Sequence, residues 1–300
     1  MRALRSLTIY LVLVFLGGAL IAPWVYWLVQ WGGQHQAGLQ RLAASPFSRF
    51  VNRSLLLLAL VGVWPLLRSL GAKSQCELGF GEPAGHWKKL SAGLALGFVS
   101  LAVVVGLALV FGGRTWSTSA TLLQIARQMA GAALTAAIVA TLEEILFRGG
   151  IFGGLRRVFD WRFALAVSSA IYALVHFLKR AALVGDVTWL SGLQMLPQML
   201  HGFVEAQTLV PGFFSLTLAG AMLALAYQRT GNLDFSIGLH AGWIFWLKSY
   251  GFLTNARAGA SLWFWGSNKL IDGWLAFFVL LGTLLGVWIF LWPKKTKTEL

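Results

Sequence analysis

Long apolar runs, several of them reaching about 20 residues, decide what this chain can fold into. A helix of about that length crosses a hydrocarbon core roughly 30 Å thick, where only helices and closed barrels satisfy their own backbone. The runs are continuous and do not alternate with period two, so helices are expected and a barrel is not. Composition points the same way. Hydrophobic residues make up 58% and charged residues 11% of the 300, with a mean hydropathy of +0.72, whereas soluble domains carry about 25% charged residues.

The expected fold is all-α, a polytopic membrane helix bundle of about eight transmembrane helices. They fall near 8–31, 54–71, 90–112, 124–150, 163–180, 212–229, 235–252 and 273–292. In chain order this gives N-terminal transmembrane helices over 1–115, a core over 120–252, and a C-terminal transmembrane helix with a basic tail over 253–300. The second span has a short core between Arg53 and Arg68 and is interrupted by Pro65. The first follows Arg2 and Arg5 but is too long for a signal-peptide core, and Ala22-Pro23-Trp24 is a poor cleavage site, so it reads as a retained span. Trp24, Trp27, Trp31, Trp288 and Trp292 stand near proposed span ends, at the headgroup level that suits an indole.

The net charge is +14. In a soluble protein that would suggest nucleic acid, but here the basic residues lie mostly between spans or at the termini, where they set topology and meet anionic lipid. No nucleic-acid partner is expected. With the N-terminus cytoplasmic, fourteen Lys and Arg fall on the cytoplasmic face and nine on the other, which favours both termini inside. A single cysteine, Cys76, excludes an intrachain disulfide and a cysteine-based metal cluster. Between Gly185 and Gly212, Trp189, Leu193, Leu196, Met199, Leu200 and Phe203 recur at helical spacing. This reads as an interfacial amphipathic helix, either a substrate-side flap or a plainly packed connection.

Eight of the ten carboxylates fit loops or span ends; Glu143 and Glu144 do not. They sit in an apolar run where a charge costs several kcal/mol unless paired or hydrated, so such residues point to function. Glu144 and Arg148 stand four apart on one helix face and can neutralise each other. Glu143 points about 100° away and must find its partner across the bundle. His176 and His240 are ionisable residues in two later apolar spans. A lone buried histidine is usually a packing residue; with Glu143 nearby in depth, chemistry becomes the better reading. Glu143 precedes Arg156 by thirteen residues and His176 follows Arg162 by fourteen, so both lie roughly 20 Å from the same basic turn. His240, eleven residues past Arg229, is expected at a shallower depth.

A carboxylate and an imidazole can together deprotonate water for attack on a peptide carbonyl, and a second imidazole can stabilise the oxyanion. The same residues also permit a zinc site with one open position, although the chain lacks the H-E-x-x-H helix that would specify it. Water activation without a cofactor is preferred. His201 and Glu205, four apart, read as a local helix pair, and His35 and His86 receive no role.

These motifs resemble the type II CAAX prenyl proteases and their bacterial relatives, the Abi or CPBP intramembrane proteases. Glu143-Glu144-Ile145-Leu146-Phe147-Arg148 matches the family's Glu-Glu-x-x-x-Arg, and Gly149 and Gly150 follow it as in the family. Tyr172 to His176 matches Phe-x-x-x-His with tyrosine in the aromatic place. His240 matches the third motif, but Ile244 stands where asparagine is usual. The resemblance makes 120–252 the catalytic core. It implies endopeptidase activity within the membrane, Glu143 and His176 activating water and His240 stabilising the oxyanion. It implies a membrane-associated protein or peptide as substrate. With no eukaryotic sorting signal, a bacterial inner membrane is the expected location, and bacteriocin-like peptides, membrane-anchored regulators and sorting tails are the candidate substrates. The competing readings are a non-catalytic scaffold or immunity protein of the same fold, to which Ile244 points, and a proton- or cation-coupled transporter.

Overall fold

The computed structural model describes residues 2–74, 79, 85–117, 119–179, 182–183 and 185–291. Cys76, Arg180, Trp292 and the basic C-terminal tail lie outside them. The chain begins with α1 (Arg2–Val12), a π-helical turn (Leu13–Gly17), α2 (Gly18–His35), α3 (Gln40–Ala43) and α4 (Phe47–Ser69). Next come α5 (His86–Val110), α6 (Leu122–Glu144), a second π-helical stretch (Ile145–Phe152), α7 (Gly153–Leu155) and α8 (Trp161–His176). The rest comprises α9 (Ser191–Met199), α10 (Ala206–Thr230), α11 (Asp234–Leu253), α12 (Leu262–Trp265) and α13 (Trp274–Leu291). Strands β1 (Arg114–Trp116) and β2 (Thr254–Ala256) pair antiparallel, Thr115 opposite Asn255.

Among the described residues, five helical segments are long and apolar enough to cross a membrane: Arg5–His35, Phe47–Ser69, His86–Val110, Leu122–Leu155 and Ala206–Thr230. The all-α membrane bundle is therefore observed, while a count of eight spans is not confirmed. Of the other three expected runs, α8 has only 16 residues. The apolar helix Trp274–Trp288 is likewise short, and α11 begins at Asp234 and carries the polar His240 and Lys248. The second expected span is longer than its sequence suggested. α4 starts at Phe47 and runs through Pro65, with Arg49 donating to Ser45 Oγ at 2.9 Å beside its first turn.

The chain forms two compact units, Met1–Gln75 with Val175–Glu205, and Cys76–Leu174 with Ala206–Leu300. In the first, α1 and α2 run antiparallel to α4. A Cβ at Gly18 would lie 2.8 Å from Leu55, and one at Gly62 2.9 Å from Tyr10, so glycine on either helix lets the other approach. The Tyr10 hydroxyl donates to Ala59 O at 2.9 Å. α9 packs its Met195 and Met199 into the cluster of Ala22, Phe47, Phe50, Val51 and Leu55. A Cβ at Gly192 would lie 1.9 Å from Ala19 O. The amphipathic stretch is thus helical, and it is docked on α2 backbone to backbone rather than free as a flap.

The second unit is organised by the crossing of α11 with α5. Between helices in lipid the hydrophobic effect is absent, so association rests on close packing and interhelical hydrogen bonds. Here Gly93 and Gly97 of α5 meet Gly238 and Gly242 of α11, each set spaced by four. A Cβ would lie 2.2 Å from Phe235 O at Gly93, 2.1 Å from Leu239 O at Gly97, 2.0 Å from Leu90 O at Gly238, and 2.4 Å from Phe98 N at Gly242. Trp243 Nε1 donates to Ser100 Oγ at 2.9 Å across the same crossing. The opposite face of α11 lies on α6, where Ile244 packs against Ala136 and Ala140. His240 is one turn before Ile244, which aims it at the last turn of α6.

Candidate active site

Glu143 and Glu144 end α6, and the helix continues as a π-helical stretch over Ile145–Phe152. Such wider turns recur at functional sites, where they re-aim side chains. Glu144 and Arg148 are fully buried, 0% and 2% exposed, and pair at 3.2 Å between Oε1 and Nη1. The other guanidinium nitrogen, Nη2, donates to Gly220 O on α10 at 3.3 Å. Gly220 permits this approach: a Cβ there would lie 3.0 Å from Ser169 Cα on α8. The guanidinium also stacks over the Tyr172 ring, 4.5 Å from its centre, and that ring meets Phe147 edge-on. Arg148 thereby ties α6, α8 and α10 together around one buried carboxylate.

His240 joins the same carboxylate from α11. Its Nδ1–H donates to Glu144 Oε1 at 2.9 Å. A carboxylate is an acceptor, so this bond fixes which ring nitrogen carries a proton. The remaining nitrogen, Nε2, lies 3.2 Å from the Tyr172 hydroxyl and 3.7 Å from Glu143 Oε2. The two carboxylates differ in environment: the Glu144 side chain is 0% exposed and the Glu143 side chain 23%. Glu144 is held by Arg148 and His240, while the Glu143 side chain is partly exposed with its Oε2 buried. Nε2 therefore faces Tyr172, Glu143 and any oxygen placed between them.

The structure therefore brings together four of the five residues singled out in the sequence, Glu143, Glu144, Arg148 and His240, within the second unit. His240 is not shallower than the glutamates but in direct contact with both. The short turn at Gly231, whose φ of +72° suits glycine, returns the chain into α11 at once. His176, the last residue of α8, is exposed and belongs to the first unit, one helical turn beyond Tyr172. Tyr172 was missed as a polar group, since the sequence offered it only as an aromatic; the signal was a hydroxyl in a phenylalanine place. His86, given no role, pairs through Nδ1 with Asp234 Oδ2 and joins the first turns of α5 and α11. Glu205 accepts a hydrogen bond from Lys179.

Zinc is a poorer match to these donors. Among the described residues no group of three His, Cys, Asp or Glu side chains is placed to hold a metal ion. Glu144 already faces a guanidinium and His240 through one oxygen, so a dication would have to displace Arg148 or share its carboxylate.

Residues 125–246 match the family model described as Type II CAAX prenyl endopeptidase Rce1-like. The matched stretch holds Glu143, Glu144, Arg148, Tyr172, His176, His240 and Ile244. No curated protein and no solved structure matches the chain. The family is one of proteases. Apolar helices make this an integral membrane protein, and over residues 125–246 the chain is similar to the type II CAAX prenyl endopeptidase Rce1-like family.

Proposed function

We propose that this protein is an intramembrane endopeptidase that hydrolyses a peptide bond of a membrane-associated protein or peptide, using water activated by glutamate and histidine. The observation that carries the reading is the buried His240, oriented at Nδ1 by the Glu144–Arg148 pair and presenting Nε2 beside Tyr172 and the partly exposed Glu143. Glu143 takes a proton from water, with His176 assigned as its partner on the sequence alone. The water oxygen bonds to the carbonyl carbon, and the oxyanion is met by His240 at Nε2 and by the Tyr172 hydroxyl. The C–N bond then breaks, and the proton held by Glu143 passes to the leaving amine. No covalent intermediate and no cofactor enter this sequence. Tyr172 supplies the donor that Ile244, packed among Ala136 and Ala140, does not.

The finer placement follows the same reading: α8, α11 and α13 complete an eight-span bundle in a bacterial inner membrane. Glu143→Gln keeps shape and removes the base, so cleavage is expected to vanish with insertion and yield unchanged; full residual activity refutes the assignment. A second reading, a non-catalytic scaffold of the same fold, is favoured by the apolar surroundings of Ile244. It requires that Glu143→Ala keep the biological effect, which a protease would lose.

A further inference from the structure

The first unit holds a cavity of about 580 Å³ between α1, the following π-turn, α2 and α4, lined by none of the residues assigned above. It is within the 300–1,000 Å³ range usual for ligand pockets. Its walls are apolar: Ile9, Leu13 and Ile21 on one side and Leu58, Val61 and Pro65 on the other. Gly17 and Gly62 also line it, at points where the helices come close: a Cβ there would lie 3.0 Å from Leu58 and 2.9 Å from Tyr10. The Tyr10 hydroxyl is turned away to Ala59 O, so the tyrosine contributes its ring.

The two ends of this groove are not alike. Because α1 and α4 are antiparallel, the start of one lies beside the end of the other, and Ser6 and Ser69 line the groove together there. Arg5 and Arg68 are their sequence neighbours, both exposed, and neither side chain has a hydrogen bond or ion pair with a described residue. At the other end no basic residue follows Ile21 before His35, and α4 carries an exposed arginine, Arg53, level with Ile21. The pattern is an apolar channel with two cationic donors at one mouth and one at the other. In the topology read from the distribution of basic residues, that mouth faces the cytoplasmic leaflet, where acidic lipids attract Lys and Arg.

We propose that this groove binds an anionic phospholipid, with one acyl chain between α1 and α4 and its phosphate held by Arg5 and Arg68. The inference is independent of proteolysis, because its evidence and its test concern binding alone.

The experiment measures thermal stabilisation of delipidated, detergent-solubilised full-length protein by phosphatidylglycerol, phosphatidylcholine and inorganic phosphate in turn. Phosphatidylglycerol is expected to act at concentrations roughly 30-fold lower than phosphatidylcholine, from two arginines at the headgroup level. Inorganic phosphate is expected to do nothing, since it lacks the chain. Arg5→Gln with Arg68→Gln should erase the difference between the two lipids, and Val61→Trp, filling the groove from an exposed position, should weaken both. Equal stabilisation by both lipids, or a preference that survives the double substitution, overturns the proposal. A shift with inorganic phosphate alone makes the site a simple anion site and also overturns it. An unaltered response of Val61→Trp places the lipid elsewhere.

Discussion

Replacing Arg148 with alanine tests the architecture beneath the site without needing a substrate. The change removes a cation that pairs with Glu144 at 3.2 Å, donates to Gly220 O at 3.3 Å and covers the Tyr172 ring at 4.5 Å. Neither member of the ion pair meets solvent, so water cannot screen the loss. Removing one partner of a buried pair costs about 3–5 kcal/mol, because the other charge is left uncompensated. His240 remains on the same Glu144 oxygen, which sets the expectation near the lower end, about 3 kcal/mol. That is a large part of the roughly 5–15 kcal/mol by which proteins are stable. Thermal unfolding of the purified protein should show it as a fall on the order of 10 °C, with reduced folded yield. Glu144→Gln combined with Arg148→Met removes both charges and should recover most of the loss. A melting temperature for Arg148→Ala within about 2 °C of wild type would refute the claim that this pair holds the bundle.

Other substitutions separate chemistry from packing. Tyr172→Phe keeps the ring under Arg148 and deletes only the hydroxyl at Nε2; losing one hydrogen bond to charge, about 1.5–3 kcal/mol, should lower kcat/KM roughly 10- to 100-fold with unchanged melting. A rate within about threefold of wild type removes Tyr172 from the mechanism. Gly97→Ala would put a Cβ 2.1 Å from Leu239 O and should abolish folded protein, while Gly106→Ala on the same helix, with open space around it, should be neutral or stabilising by up to about 1 kcal/mol. Equal behaviour of the two would contradict the glycine seam. Ile244→Asn buries an amide against Ala136 and Ala140 and should cost about 1–3 kcal/mol without faster cleavage; a clear gain in rate would mean that the oxyanion lacks a donor.

What the sequence disclosed was whatever depends on one helix at a time. The Glu144–Arg148 pair follows from a spacing of four, and the cost of charge in lipid singled out Glu143. Relations across helices were less accessible. The contact of His240 with both glutamates depends on the tightness of the turn at Gly231 and on how deeply α11 enters its crossing with α5. The four-glycine seam is written in two separate stretches, each an ordinary pair of glycines until Gly93 and Gly97 are set against Gly238 and Gly242. Tyr172 read as a ring because its hydroxyl acquires meaning only when Nε2 arrives beside it. The docking of α9 was open for the same reason: its amphipathic spacing defines a buried face but not the surface of α2 that covers it.

The central claim is that Glu143 cuts peptide bonds. It is tested most directly by comparing protein termini in membranes of cells that carry the wild-type chain with those that carry Glu143→Ala at equal abundance. New termini that appear only with the wild-type chain, on membrane-associated proteins, are the predicted result and name the substrates. Identical termini in both, with membrane-associated proteins expressed, would contradict proteolysis and leave the buried cluster as a structural tie in a scaffold.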